Sequence, residues 1–110
     1  MFQMADLPSA FPLRDLFDAA ARGRSIRLTC PKCGHAAVLS SHALWWRFHR
    51  KGWVDTFAAV RKRCLCLLCL HRRGAKVRNP LLELVDLAPT DTSLPMPSEL
   101  DWKRELRRRR

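Results

Sequence analysis

No apolar run in this 110-residue chain approaches the roughly 18 residues needed to cross a bilayer, so a membrane-spanning helix is not expected. The opening stretch "MFQMADLPSAFPLRDLF" carries acids early and lacks a basic region followed by an apolar one, which reads as no secretory signal. A reducing, cytoplasmic setting is therefore the expectation, and structural disulfides are rare there. No glycine-rich phosphate loop occurs. No nucleophile, base and orienting group stand in a recognisable set, and the four histidines have no acids nearby in sequence. An enzyme is not expected. Internal repeats are absent apart from a doubled cysteine pair.

Acidic residues are scarce where they would matter most. The chain holds 21 Lys or Arg against 10 Asp or Glu, for a formal charge of +11. Residues 22–78 carry fourteen of the cations against Asp55 alone, whereas residues 79–102 carry five acids and no base. The last eight residues, "KRELRRRR", are basic again. A balance of this kind implies a polyanionic partner: nucleic acid, an anionic surface or an acidic protein. The hydrophobic fraction, 47%, is that of a folded domain, but a chain this short buries a modest core and benefits from a staple.

The staple is legible in the cysteines. "TCPKCGH" supplies Cys30 and Cys33, and "KRCLCLLCLHRRG" supplies Cys64, Cys66 and Cys69. An odd number of thiols in a reducing compartment favours a metal site over a disulfide framework. A Cys-x-x-Cys turn brings two sulfurs onto one ion, with backbone N–H groups facing the thiolates. Pro31 and Gly34 suit such a turn at the first pair. Cys66 and Cys69 repeat the spacing, so Cys30, Cys33, Cys66 and Cys69 are the expected ligands of one Zn2+, with Cys64 the spare, packed as a small apolar residue. One feature disagrees. Leu70 stands where a glycine usually follows the second cysteine, and a branched residue at positive φ there would cost roughly 1–2 kcal/mol. Cys64 or His71 stays open as a fourth ligand, and His35 stands at the corresponding place after the first pair. A redox dithiol is disfavoured, because neither pair is expected between a strand and a helix.

"TCPKCG" together with "CLLC" resembles the zinc-ribbon group of small zinc-binding proteins. That resemblance covers about residues 25–87. It implies two knuckles at the tips of β-hairpins clamping one structural zinc, in a group whose members serve nucleic-acid binding and protein docking alike. The stretch between the knuckles is longer than in a minimal ribbon, so a treble-clef-like arrangement is the alternative. The Ala/Arg/Leu-rich composition also resembles that of bacterial proteins.

The fold class expected is a small α+β zinc-stabilised domain: zinc-ribbon-like hairpins, a helical insert over 41–62, and flanking N- and C-terminal helices. Pro12 is expected to open a helix from Leu13 to Arg22, with Leu13, Leu16, Phe17 and Ala20 on its packed face and Gly23 ending it. "SIRLT" (25–29) and "AAVL" (36–39) read as the strands of a hairpin. Ser40 or Ser41 caps "HALWWRFHRK", which Gly52 closes, and Asp55 caps "TFAAVRKR". "AKVR" (75–78) and "LLELVDL" (81–87) read as strands. Residues 88–97, with three prolines, read as a linker. Ser98 and Asp101 mark a helix start within a basic tail, 98–110.

The insert also carries the second candidate surface. On a helical wheel Leu44, Trp45 and Phe48 share one side, while His42, Trp46, His49 and Arg50 share the other, with Trp53 nearly in line. Trp46 and Trp53 either pack in the small core or offer indole faces on which bases stack. Arg61, Lys62 and Arg63 precede the second cysteine pair, and Arg72, Arg73, Lys76 and Arg78 follow it. Together they form an expected rim for phosphate contacts, with little base specificity. Docking of an acidic protein on the tryptophan surface and the basic rim is the alternative.

Overall fold

The computed structural model describes residues 13–109. Pro12 and Arg110 lie outside them, so the expected role of Pro12 as a helix opener does too. Helix α1 (Leu16–Ala21) starts later than expected, because the Asp15 carboxylate accepts from the Asp18 N–H at 2.9 Å and so makes Asp15 the N-cap. Leu13 is left outside the helix, half-buried. Leu16, Phe17, Ala19 and Ala20 are buried on one face, and Gly23, at φ +69°, turns the chain toward the sheet.

Strands β1 (Ser25–Thr29) and β2 (Ala36–Leu39) form the expected hairpin, with Ile26 opposite Leu39 and Thr29 opposite Ala36. Strand β3 (Leu81–Val85) adds to the other side of β1, antiparallel, giving the order β2-β1-β3. Ile26 faces Leu84 and Leu28 faces Leu82, so the two-residue period puts all four on the side that the helices cover. The outer edge of β2 is partly paired: Thr90 donates its N–H to the Val38 carbonyl at 2.8 Å and accepts the Val38 N–H on its hydroxyl at 2.9 Å. The proline-rich stretch therefore lies against the sheet at Thr90 and Asp91.

Helix α2 (Ser41–Lys51) has Ser40 as N-cap and closes on Gly52 in the left-handed conformation, as the sequence indicates. It inserts Leu44, Trp45 and Phe48 beside Leu16 and Phe17 of α1, over Ile26 of the sheet. Trp45, Leu16, Ile26 and Val60 are essentially inaccessible to solvent. Each such side chain contributes roughly 1.5–3 kcal/mol by leaving water. This core, rather than any single contact, fixes α2 on the sheet.

Helix α3 (Phe57–Arg63) is capped by Thr56, whose hydroxyl accepts the Ala59 N–H, and not by Asp55. Asp55 instead accepts the Leu16 N–H on its backbone carbonyl, tying this loop to the start of α1. Helix α4 (Leu67–Arg73) occupies what the sequence suggested was a second hairpin turn. Residues 75–78 make no strand; a single bridge, Leu65 to Arg78, is all that forms there. Helix α5 (Glu99–Arg108) starts at Ser98, which exchanges hydrogen bonds with Asp101. It lies on the domain, with the Trp102 ring 5.1 Å from Phe17, 4.5 Å from His42 and 5.1 Å from Trp45. Glu105, buried, takes both Arg108 and Arg109. Among the described residues the protein is a small α+β fold with a three-stranded antiparallel sheet and five helices.

Candidate metal centre and the basic surface beside it

The first cysteine pair sits in the β1–β2 turn. The Cys30 N–H bonds the His35 carbonyl at 2.8 Å and closes the turn, while Gly34 takes φ +77°. Within it the N–H groups of Lys32 and Cys33 point at the Cys30 sulfur, at 3.4 and 3.5 Å. The second pair begins α4. Cys66 is the N-cap, and its sulfur accepts the Cys69 N–H at 3.4 Å. Both pairs thus aim backbone dipoles at sulfur, but by different means: a glycine-assisted turn in one and a first helical turn in the other. The helix explains Leu70. No left-handed residue is needed after Cys69, because the chain continues as α4, and the positive φ falls at Gly74 (+62°) instead.

The two pairs converge. Cys30 and Cys69 have their sulfurs 3.7 Å apart, as do Cys33 and Cys66, and all four sulfurs lie within 4.8 Å of one another. A tetrahedral ion with bonds of about 2.3 Å to sulfur demands edges of about 3.8 Å. The donor set is therefore compatible with one Zn2+: the Cys30–Cys69 and Cys33–Cys66 edges match that spacing, and the other sulfurs stay within 4.8 Å of one another. Cys30 and Cys69 are buried and Cys33 is exposed, so the centre lies at the surface with one ligand open to solvent. At Cys30 the Cys33 N–H pulls the thiol down and burial opposes it. The Lys32 N–H and the neighbouring sulfurs add to the lowering, which leaves it at about 6. A thiol so disposed is ready to lose its proton to a metal.

Cys64 stays apart from this cluster. It packs against the hydrophobic core, and burial pushes its thiol up, away from ligand or nucleophile chemistry. His35 and His71 are exposed and do not join the four sulfurs. The second pair does open a helix, contrary to the expectation used against a redox dithiol. Its sulfurs, however, meet those of Cys30 and Cys33 across the centre.

The expected rim divides. Arg61 is engaged: its Nε donates to the Pro80 carbonyl at 2.8 Å, and its Nη2 lies 3.4 Å from the Asn79 carbonyl, which locks α3 to the start of β3. Arg73 donates through Nη2 to the Cys69 sulfur at 3.1 Å. Arg78 reaches the Lys62 carbonyl at 3.5 Å. Lys62, Arg72 and Lys76 are exposed. On the other surface, Trp46 and Trp53 are both half-buried, in contact with the core, and each carries a guanidinium. Arg50 lies 5.3 Å from the Trp46 ring centre and Arg63 lies 4.0 Å from that of Trp53.

Sequence reasoning missed Lys32, which the first turn places with Arg72 and Arg73 at a concavity beside the centre. Its position between the two ligands of that turn was the available signal. The contact of Arg73 with Cys69 follows from a four-residue helical spacing, visible only once α4 is recognised as a helix. No helix among the described residues is long and apolar enough to cross a membrane. The chain matches no protein-family model, no curated protein and no solved structure.

Proposed function

We propose that this protein is a small non-catalytic module in which one structural zinc fixes a basic surface that binds nucleic acid with little sequence specificity. All four ligand positions are filled by cysteine sulfur, which leaves the ion no open site for a substrate. A β-hairpin turn and a helix N-terminus supply the ligands, which favours the treble-clef-like variant over two hairpin tips.

The observation that carries this reading is the pairing of Trp46 with Arg50 and of Trp53 with Arg63. Each pair sets a cation against a partly accessible indole. Residues 41–63, which carry both pairs, contain six Lys or Arg and one acid, Asp55, so the segment itself is strongly positive. On binding, the guanidinium turns from ring to phosphate and frees the indole face for a base. Stacking of this kind is worth about 1–3 kcal/mol per base and is sequence-tolerant.

A second reading, docking of an acidic protein, draws on Val54, which is 66% exposed next to Trp53 and adds an apolar anchor to the cations. One titration separates the two. The zinc-loaded protein is titrated with duplex DNA, single-stranded DNA and RNA across a salt series. Micromolar binding with a steep salt slope, weakened by Trp46→Ala, supports the nucleic-acid module. Weak binding that vanishes by physiological salt and ignores Trp46→Ala sinks it and leaves protein docking.

A further inference from the structure

Beside the metal centre the surface holds a concavity of about 320 Å³, lined by Lys32, Cys33, Leu68, Cys69, Arg72 and Arg73. That volume is at the low end of the range for small-ligand sites, about 300–1,000 Å³. Three of the six lining residues are cations and none is an acid; the cations come from two separate segments, Lys32 from the β1–β2 turn and Arg72 and Arg73 from the last turn of α4. Arg73 is already committed to the Cys69 sulfur. The side chains of Lys32 and Arg72 are not so engaged.

The charge of the centre decides what can enter. Four thiolates on a divalent ion carry a net charge of −2, and the three cations of the groove exceed it by one unit. The surplus matches the single negative charge of a phosphodiester. A free phosphate, about −1.5 on average at neutral pH, matches it less well. Leu68 adds an apolar wall, which suits the sugar attached to a diester and does nothing for a bare anion.

The geometry points to this groove as a seat for one backbone phosphodiester of a single-stranded nucleic acid, gripped by Lys32 and Arg72 over the metal centre. The assignment rests on the nucleic-acid reading above and adds a site to it, distinct from the tryptophan surface. It also gives the ion a role in binding. Lys32 rides on the turn that holds Cys30 and Cys33, and Arg72 on the helix that holds Cys66 and Cys69, so the metal sets the distance between the two cations.

The test uses the zinc-loaded full chain and a labelled single-stranded oligonucleotide, with wild type, Lys32→Ala/Arg72→Ala and Trp46→Ala compared at matched metal content. The double variant should bind at least tenfold more weakly. Its plot of log K against log salt should be shallower by about 0.7, the loss of one phosphate contact on a single strand. The oligonucleotide should also slow iodoacetamide modification of Cys33, read by mass spectrometry, at least fivefold in wild type. Unchanged affinity in the double variant with Cys33 unprotected, while Trp46→Ala weakens binding, overturns the groove and leaves the nucleic-acid reading standing. Equal protection of Cys33 by inorganic phosphate at the same concentration assigns the groove to free phosphate and overturns the diester. Failure of wild type to bind any oligonucleotide at low salt overturns both.

Discussion

Arg73 donates through Nη2 to the Sγ of Cys69 at 3.1 Å, from one helical turn further along α4. The contact places a positive charge on a ligand of the metal centre, and the sulfur in turn raises the pKa of the guanidinium, first through the hydrogen bond and then through its charge. It is a charge-assisted bond between a partner outside the ligand set and a ligand, of the kind that tunes metal affinity.

Removing that donor should loosen the metal without emptying the site. Arg73→Ala is expected to keep one metal per chain as purified but to give it up about tenfold more readily to a competing chelator. A chromogenic chelator titration reads this directly, and an unchanged competition constant would show that the bond is incidental.

Cys64→Ser should keep its metal, because the Cys64 side chain lies against the core and outside the four-sulfur cluster. Cys66→Ser and Cys69→Ser should lose it. Elemental analysis of the three purified variants is sufficient. Metal loss in Cys64→Ser alone would move the fourth ligand to Cys64.

Asp55 is a liability of the fold. Burial first, and then the neighbouring charge of Asp15, push its carboxyl above the ordinary carboxylate value, against the opposing pull of Arg109, and its Oδ2 is buried without a hydrogen-bond partner. A carboxyl with a raised folded pKa binds its proton more tightly in the folded state, so its ionisation costs stability as pH rises through that value. Asp55→Asn should therefore raise the thermal midpoint at pH 7, by the few degrees that about 0.5–1 kcal/mol produces. The gain should shrink in acid, where Asp55 is itself neutral. A lower midpoint at pH 7 would refute this.

Glu105 has the opposite sign. The Arg108 hydrogen bond, with Arg109 behind it and burial opposing, holds its carboxyl down at about 2, against an ordinary value of 4.5. The stability it supplies is fully present above about pH 4.5 and is lost as pH falls toward about 2. Glu105→Gln should destabilise the neutral protein by about 1–2 kcal/mol and flatten the acid limb of the stability curve. Circular dichroism melts between pH 2 and 7 would show it. An equally steep acid limb in Glu105→Gln would place the acid sensitivity elsewhere.

Most of the framework was legible where local chemistry and packing agree. Ser40 and Gly52 bound α2, the alternation of "SIRLT" fixes which side of β1 is buried, and the Leu44, Trp45 and Phe48 stripe is the core face. The four-sulfur cluster was legible because the repeated spacing leaves one cysteine over. What hid was the backbone around the second pair. A Cys-x-x-Cys spacing suits both a knuckle and a first helical turn, and the missing glycine after Cys69 argued for the helix. Leu67, Leu68 and Leu70 all favour a helix, so the apparent flaw was the signal. Asp55 misled for a different reason. Asp and Thr both cap helices, and which of 55 and 56 does so depends on α1, whose Leu16 N–H claims the Asp55 carbonyl.

Trp102 in its cage of Phe17, His42 and Trp45 has an optical consequence. Two indoles held edge-to-face at 5.1 Å, in asymmetric surroundings, share a near-ultraviolet circular dichroism signal that neither has alone. Release of α5 would break that pair and expose Trp102 to water. The protein thus carries an intrinsic reporter of its own C-terminal helix, readable without a label in any experiment that asks whether a partner displaces it.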